Sequence, residues 1–381
     1  MGETRHIAIA QPSTGEEEWQ ALREPLTSGW ITQGPKVAAF QEAFARRHEV
    51  RHALATSSCT TGLRLILAAM EIGPGDEVIV SSFTWVATAN VVVHCGATPV
   101  FVDIDPETFN VDPARVAKRL TPRTRAIIPI HLFGLCADVG AISAAAPDVP
   151  IVEDAACAVG ASYKGRPAGG LGRAAGFSFH PRKVISTGEG GMVTTNDDAL
   201  AGRIDALRNH GATVSEEQRH HGSKPYVLPA FHLPGFNFRM TDLQGAVGLV
   251  QLGKLDRLLA ERRRLAARYD EALAEVPWLR TPPVPEGYGH SYQAYVCMVD
   301  ESRSPAPRNA IMEALQQKGV STRPGTHAVH MLAYYRERFG WKPDDCPLAR
   351  DADRFSMAIP LHNRMDDADL EYVVGAIKSL G

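Results

Sequence analysis

Gly176-Phe-Ser178-Phe-His180-Pro-Arg-Lys183, followed closely by Thr187-Gly-Glu-Gly-Gly191, is the stretch on which the reading of the fold turns. It places a lysine between a hydrophobic strand, Ala175–Ser178, and a glycine-rich turn that leads into a second strand, Met192–Thr195. Upstream, short β-branched runs recur at Glu77–Val80, Thr98–Asp103, Ala126–Pro129 and Pro150–Glu153. Helix-like segments, Thr61–Met70, Thr88–Cys95 and Pro113–Arg119, lie between them. Strands alternating with helices predict an α/β fold with a largely parallel sheet covered by helices on both faces. On such sheets ligands gather at the carboxyl ends of the strands. Downstream, Thr241 to about Leu273 reads as long, charged and helical, and the proline-rich Pro277–Pro285 marks a boundary into a smaller α+β unit. That unit holds a strand-like Gln293–Val299, a helix-like Asn309–Lys318 and a last helix, Asp367–Leu380. The polar Ser215–Pro229 reads as a long surface loop.

At roughly 100–200 residues per domain, 381 residues predict two or three domains. A net charge of -3 with dispersed Lys and Arg gives no basic face for nucleic acid or an anionic membrane. The six cysteines, Cys59, Cys95, Cys136, Cys157, Cys297 and Cys346, form no Cys-x-x-Cys pair, which argues against a zinc or disulfide framework and fits a reducing compartment. Met1–Gln20 has no apolar run of signal-peptide length. The most apolar region, Val78–Val102, is broken by Ser81, Ser82, Asn90, His94 and Pro99 and predicts no membrane span. The expected location is cytoplasmic.

Four features carry chemistry together, although each has a plain alternative. Ile151-Val-Glu-Asp154-Ala-Ala156 is a buried-looking strand ending in two acids. Asp154 either caps the following turn or meets a protonated heteroaromatic nitrogen, which a carboxylate keeps cationic. Lys183 is either one more solvated surface charge or a partly buried amine suited to Schiff-base formation, burial lowering its preference for the charged form. Ala55-Thr56-Ser57-Ser58-Cys59-Thr60-Thr61-Gly62 supplies helix caps, and its free N–H groups equally suit a phosphate. It contains no Gly-x-x-x-x-Gly-Lys, so an NTPase loop is not supported. Trp85, after the strand Glu77–Val80, is either core or a stacking platform for a planar ring.

In this order the motifs resemble the DegT/DnrJ/EryC1/StrS family, fold-type-I enzymes dependent on pyridoxal phosphate (PLP) that mostly transaminate keto sugars attached to nucleotides. The resemblance runs from Ser28-Gly-Trp-Ile-Thr32-Gln-Gly34-Pro through Gly75-Asp-Glu-Val and Gly96-Ala-Thr-Pro-Val-Phe-Val-Asp103. It continues in Arg208-Asn-His-Gly211, Gly235-Phe-Asn237-Phe-Arg239-Met and Gln251-Leu. It implies a large PLP-binding domain over 1–250 with a mostly parallel seven-stranded sheet, and over 251–381 a linking helix and small α+β domain. It assigns Lys183 to the Schiff base with the cofactor and Asp154 to the ring nitrogen. Trp85 and Ala156 would sandwich the ring, and Ser58, Cys59 and Ser178 would bind the phosphate. Asn237 would reach the phosphate of the neighbouring subunit, making a homodimer part of the site. Thr32–Gly34 and His330 match segments that line the substrate end.

The resemblance further implies L-glutamate as amino donor, a keto sugar nucleotide as acceptor and a ping-pong exchange through pyridoxamine phosphate. Position 4 of a 4-keto-6-deoxy sugar is the expected site of amination, with position 3 or a cyclitol ketone as rivals, and the nucleotide would lie across Ser215–Pro229 and the subunit interface. A carboxylate donor needs a binder, for which Arg239 and Arg323 are candidates, although each could equally hold backbone carbonyls. The sequence departs from the family at Cys157, where Gln or His commonly contacts the cofactor's phenolic oxygen: either that contact is lost or another group supplies it. Cys59 stands where a small residue is common and reads as space-filling. Related sugar dehydratases carry histidine in place of the lysine, and Lys183 argues against that reaction. A regulatory protein that merely binds PLP would not need both Lys183 and Asp154. His327 and His330 alone, without a third spaced ligand, do not make a metal site.

Overall fold

The computed structural model describes residues 5–212, 226 and 230–381; apart from Tyr226, the Ser215–Pro229 stretch with His220 and His221 lies outside the described residues. Seven strands build the large sheet: β1 His52–Thr56, β2 Glu77–Ser81, β3 Thr98–Val102, β4 Thr124–Ile128, β5 Val152–Asp154, β6 Ala174–Ser178 and β7 Gly191–Thr195. β2 lies between β3 and β4, parallel to both. Parallel bridges Ile127–Ile151 and Ile130–Asp154 join β4 to β5, and β6 runs parallel to β5. β7 then pairs antiparallel with both β6 and β1, so the order is 3-2-4-5-6-7-1 with one reversed strand. β2 and β7 are buried along their whole length, as expected for strands covered on both faces.

Helices α1 Pro35–Arg47, α2 Cys59–Ala69, α3 Ala87–His94 and α4 Asp198–Arg208 cover the sheet. α2 starts where it does because Ser58 caps it: its hydroxyl accepts the Thr61 N–H at 3.1 Å while the Thr61 hydroxyl accepts the Ser58 N–H at 3.0 Å. Its apolar side, Leu63, Leu65, Ile66 and Leu67, is fully buried. Such side chains contribute about 1.5–3 kcal/mol each. α1 begins on the buried carboxylate of Asp242, which accepts the N–H groups of Gly34 (2.9 Å), Lys36 (3.0 Å) and Val37 (2.9 Å). A carboxylate there satisfies donors the helix cannot and complements its dipole.

The helical stretch from Thr241 is two helices, α5 Asp242–Gly253 and α6 Leu255–Leu273, divided at Lys254. Lys254 is held at the break by Glu18 (2.6 Å) and Glu17 (2.9 Å). Beyond it, β8 Leu279–Arg280, β9 Tyr295–Val299 and β10 Ser356–Ile359 form a three-stranded antiparallel sheet. Helices α7 Arg308–Gln317 and α8 Asp367–Lys378 belong to the same C-terminal part. Trp278, Tyr269, Tyr295, Leu315 and Ile377 fill its core, which Ile7 joins from the N-terminal end. Val329, Tyr335 and Ala349 pack instead into the core of the large sheet, beside Phe83 and Phe101.

Candidate active site

β2, β5 and β6 end on one side of the sheet, and the residues that follow them converge there. Asp154 closes β5 and is 5% exposed. Its Oδ2 accepts the Thr88 hydroxyl at 2.6 Å, and its Oδ1 accepts the Ala156 N–H at 3.1 Å. The Cys59 thiol lies 4.0 Å from the same Oδ1. A carboxylate offers about four lone-pair positions, so these partners orient it without exhausting it. Thr88 also links the acid to the aromatic platform, since its hydroxyl is 3.4 Å from the Trp85 carbonyl.

The indole of Trp85 is 62% exposed. It stands on the short strand Phe83–Thr84, which pairs with His327–Ala328, and its ring lies 5.7 Å from that of His327 at 42°. Ala156, part-buried, packs against the large core. At the end of β6, Ser178 pairs with Gly191, the first residue of β7. A Cβ at Gly191 would stand 2.4 Å from the Ser58 carbonyl carbon and 2.6 Å from the Cys59 nitrogen. Only glycine lets the start of α2 sit directly on β7 there, so Ser58, Cys59 and Ser178 are drawn to one place at a helix N-terminus.

Lys183 follows β6 in a turn closed by its own N–H on the His180 carbonyl at 2.9 Å. Its Nζ donates to Cys157 Sγ at 3.2 Å. Burial opposes the ammonium, but the Cys157 sulfur it donates to, with the Asp154 carboxylate nearby, outweighs it and holds Lys183 above the ordinary lysine value. The expectation that burial would lower it is thereby corrected: the lysine is desolvated among groups that favour its charge. Burial, with Asp154 next in weight, pushes the Cys59 thiol well up, which agrees with a space-filling cysteine.

Other expected residues stand apart from this cluster. His330 is wholly buried behind β3, its Nε2 3.3 Å from the Pro343 carbonyl and its ring near Phe101. A ring enclosed by the core lines no open surface, and its exposed neighbour His327 is the histidine that faces Trp85. Arg323 is exposed and donates to the Thr322 carbonyl at 2.6 Å, while Arg239 donates to the Asn209 side chain at 2.7 Å. Thr32 is exposed, and Gly34 is buried against the indole of Trp30, which a Cβ would overlap. Asn237 is exposed on a segment whose Phe238 carbonyl accepts the Ser57 N–H at 2.9 Å. Sequence reasoning missed Thr88 and His327 as parts of the site, and its reading of Cys157 did not foresee the contact with Lys183.

The arrangement fits a planar cationic ring bearing a phosphate. It offers a buried carboxylate with acceptor capacity left, an amine, an open indole, and a capped helix start that glycine allows to sit against a strand.

The chain is 41% identical over 379 residues, spanning 98% of its length and 97% of the relative's, to the spore coat polysaccharide biosynthesis protein SpsC of Bacillus subtilis (strain 168). It is similar in structure to the aminotransferase TlmJ from Streptoalloteichus hindustanus, with 34% identity, 98% of each chain covered and a TM-score of 0.89. Spr1654 from Streptococcus pneumoniae is similar in its PMP form, at 28% identity over 98% of this chain and 99% of that one with a TM-score of 0.93. Its PLP form gives 29%, 99%, 98% and 0.91 for the same quantities. The model of the DegT/DnrJ/EryC1/StrS aminotransferase family matches residues 12–378, and the chain belongs to that family of PLP-dependent enzymes.

Proposed function

We propose that this aminotransferase moves an amino group from L-glutamate to the C4 keto group of a 4-keto-6-deoxy sugar nucleotide, with Lys183 as the lysine that carries the cofactor. The observation that carries the assignment of the site is the pairing of a buried, incompletely satisfied Asp154 with an amine on Cys157, three residues along the chain. Bound PLP supplies an electron sink for the carbon that loses or gains its proton. Asp154, oriented by Thr88 and the Ala156 N–H, holds a positive charge at the ring nitrogen. Lys183 Nζ takes the proton from the donor carbon and returns a proton when the acceptor is aminated. Trp85 and Ala156 bound the ring, and Ser58, Cys59 and Ser178 receive the phosphate at the start of α2. Asn237 is exposed, as a residue serving the other subunit of a homodimer must be. Arg239 and Arg323 are the candidates for the donor carboxylate, and Thr32–Gly34 for the sugar end. The protein would act in the cytoplasm.

The test is the visible absorbance of the holoenzyme before and after L-glutamate, without sugar. Conversion of the PLP band to the pyridoxamine form supports glutamate as donor. A band that glutamate leaves unmoved, while another amino acid converts it, overturns that part of the reading. An acceptor panel then decides among 4-keto and 3-keto sugar nucleotides and cyclitol ketones.

A further inference from the structure

Cys157 is anchored as firmly as the lysine it touches. The Cys157 carbonyl accepts the hydroxyl of fully buried Ser291 at 3.1 Å, and the Ser291 N–H is held by the Gly134 carbonyl at 2.9 Å. The next residue, Ala158, closes a turn on Ala155 at 2.9 Å. On the lysine side, Gln293 holds the Arg182 carbonyl at 2.9 Å and Gln251 accepts the Ser186 N–H at 3.1 Å. Two fixed turns thus hold Cys157 and the backbone of Lys183 within reach of each other, and the 3.2 Å contact of the amine with the sulfur sets where the amine lies. Without a partner, a lysine amine on its flexible stem samples many positions. A reaction that needs it at one carbon loses rate with every misplacement.

We propose that Cys157 is a positioning residue for Lys183, its sulfur holding the amine in place beside Asp154 whenever that amine carries no cofactor. This rests on the reading of Lys183 given above. The chemistry suits the task. A carboxylate in the same place would grip the ammonium through a charge-assisted bond, whereas sulfur is a weak acceptor from which the amine departs readily. The other nearby thiol cannot do the same, since Cys59 is turned to Asp154 Oδ1 at 4.0 Å. Cys157 is also among the groups that offset burial at Lys183.

The measurement is competitive acetylation of Lys183 with acetic anhydride across a pH series, read by mass spectrometry on the full chain loaded with pyridoxamine phosphate, where the lysine amine is free. Wild type, Cys157→Ala and the near-isosteric Cys157→Ser are compared, with circular dichroism as the check on folding. In Cys157→Ala the labelling midpoint moves to lower pH, because burial then acts without the sulfur, and Cys157→Ser lies between. In parallel, kcat of Cys157→Ala falls by up to about 10²-fold while KM for the donor stays within about twofold, and serine recovers part of the loss. An unmoved midpoint in Cys157→Ala overturns the proposal, and so does an unchanged kcat. Borohydride reduction of the PLP-loaded wild type separates the two levels. A label on a lysine other than Lys183 overturns the underlying reading and this proposal with it; a label on Lys183 with an unmoved midpoint overturns the role of Cys157 alone.

Discussion

Two acids stand side by side at the end of β5 and face opposite sides of the sheet, and their surroundings differ in one respect. Glu153 is saturated: it accepts N–H groups from Gly169 (2.7 Å), Leu171 (2.8 Å) and Gly172 (2.7 Å), and its Oε2 lies 2.9 Å from His131 Nε2. His131 Nδ1 accepts the Ala137 N–H, which leaves the proton on Nε2 to donate to Glu153. Asp154 has fewer partners, the Thr88 hydroxyl and the Ala156 N–H, with the Cys59 thiol at 4.0 Å. The saturated acid ties down the Ala168–Gly172 loop, and the acid with capacity to spare stands at the site. Burial alone does not distinguish them, since both are buried; the number of donors already committed does.

The comparison can be broken in order of effect. Asp154→Asn removes the charge with little change of shape and lowers kcat about 10²–10³-fold while the thermal midpoint hardly moves; steady-state kinetics beside a melt would show it. A large loss of stability with normal turnover of the folded fraction would reverse the two roles. Glu153→Gln turns an amide NH2 toward backbone donors and costs about 3 kcal/mol in urea unfolding, with the folded fraction still turning over normally. At Glu153 burial opposes the charge, but His131 and the backbone N–H groups outweigh it and hold the carboxyl below the ordinary value. Its stabilising contribution is present above the ordinary carboxylate range and fades as pH falls through the folded value.

His48 sharpens the same contrast, because its Nδ1 holds the Ala168 carbonyl at 2.8 Å at the start of that loop. Burial, with Arg47 adding to it, lowers the imidazole from 6.5 to about 4. As pH falls below 6.5 the unfolded chain takes the proton first, so about 3 kcal/mol is lost by the time pH reaches about 4. Denaturant titrations of wild type and His48→Gln over that range should diverge. Thr88→Val, which deletes the hydroxyl on Asp154, lowers kcat roughly tenfold, since a bond to a charged group contributes about 1.5–3 kcal/mol. Smallest is Trp85→Ala: the exposed indole changes stability by no more than about 0.5 kcal/mol, and PLP dissociates faster by up to about tenfold for the lost stacking.

Much of this was legible in the chain. The β-branched runs that became β2, β3 and β4 announce themselves, and the capping chemistry of Ser58 and Thr61 is local. β1 was not read as a strand because His52-Ala-Leu-Ala-Thr56 has little intrinsic strand preference; its partner β7 places it. The reversal of β7 was equally hidden, since a strand buried on both faces reads the same in either direction. Only Gly253 hints at the division of α5 from α6, where Lys254 is held by Glu17 and Glu18 from far back in the chain. Within the site, Lys183 and Asp154 were found through their motifs, whereas Thr88 meets Asp154 from 66 residues away and sequence gives no hint of the pair. Nor could two histidines three residues apart reveal which is enclosed and which is open.

The reversed strand also bears on how local the parts of the site are along the chain. Because β7 runs back along β6, the two form a hairpin joined by residues 179–190, and the lysine rides in that connection. Closing so short a loop costs about 1.5 kcal/mol less entropy than bringing Thr88 to Asp154, and about 2.7 kcal/mol less than bringing His327 to Trp85. The amine is thus carried by the most local element of the site, and the acid clamp and the aromatic wall by its least local ones.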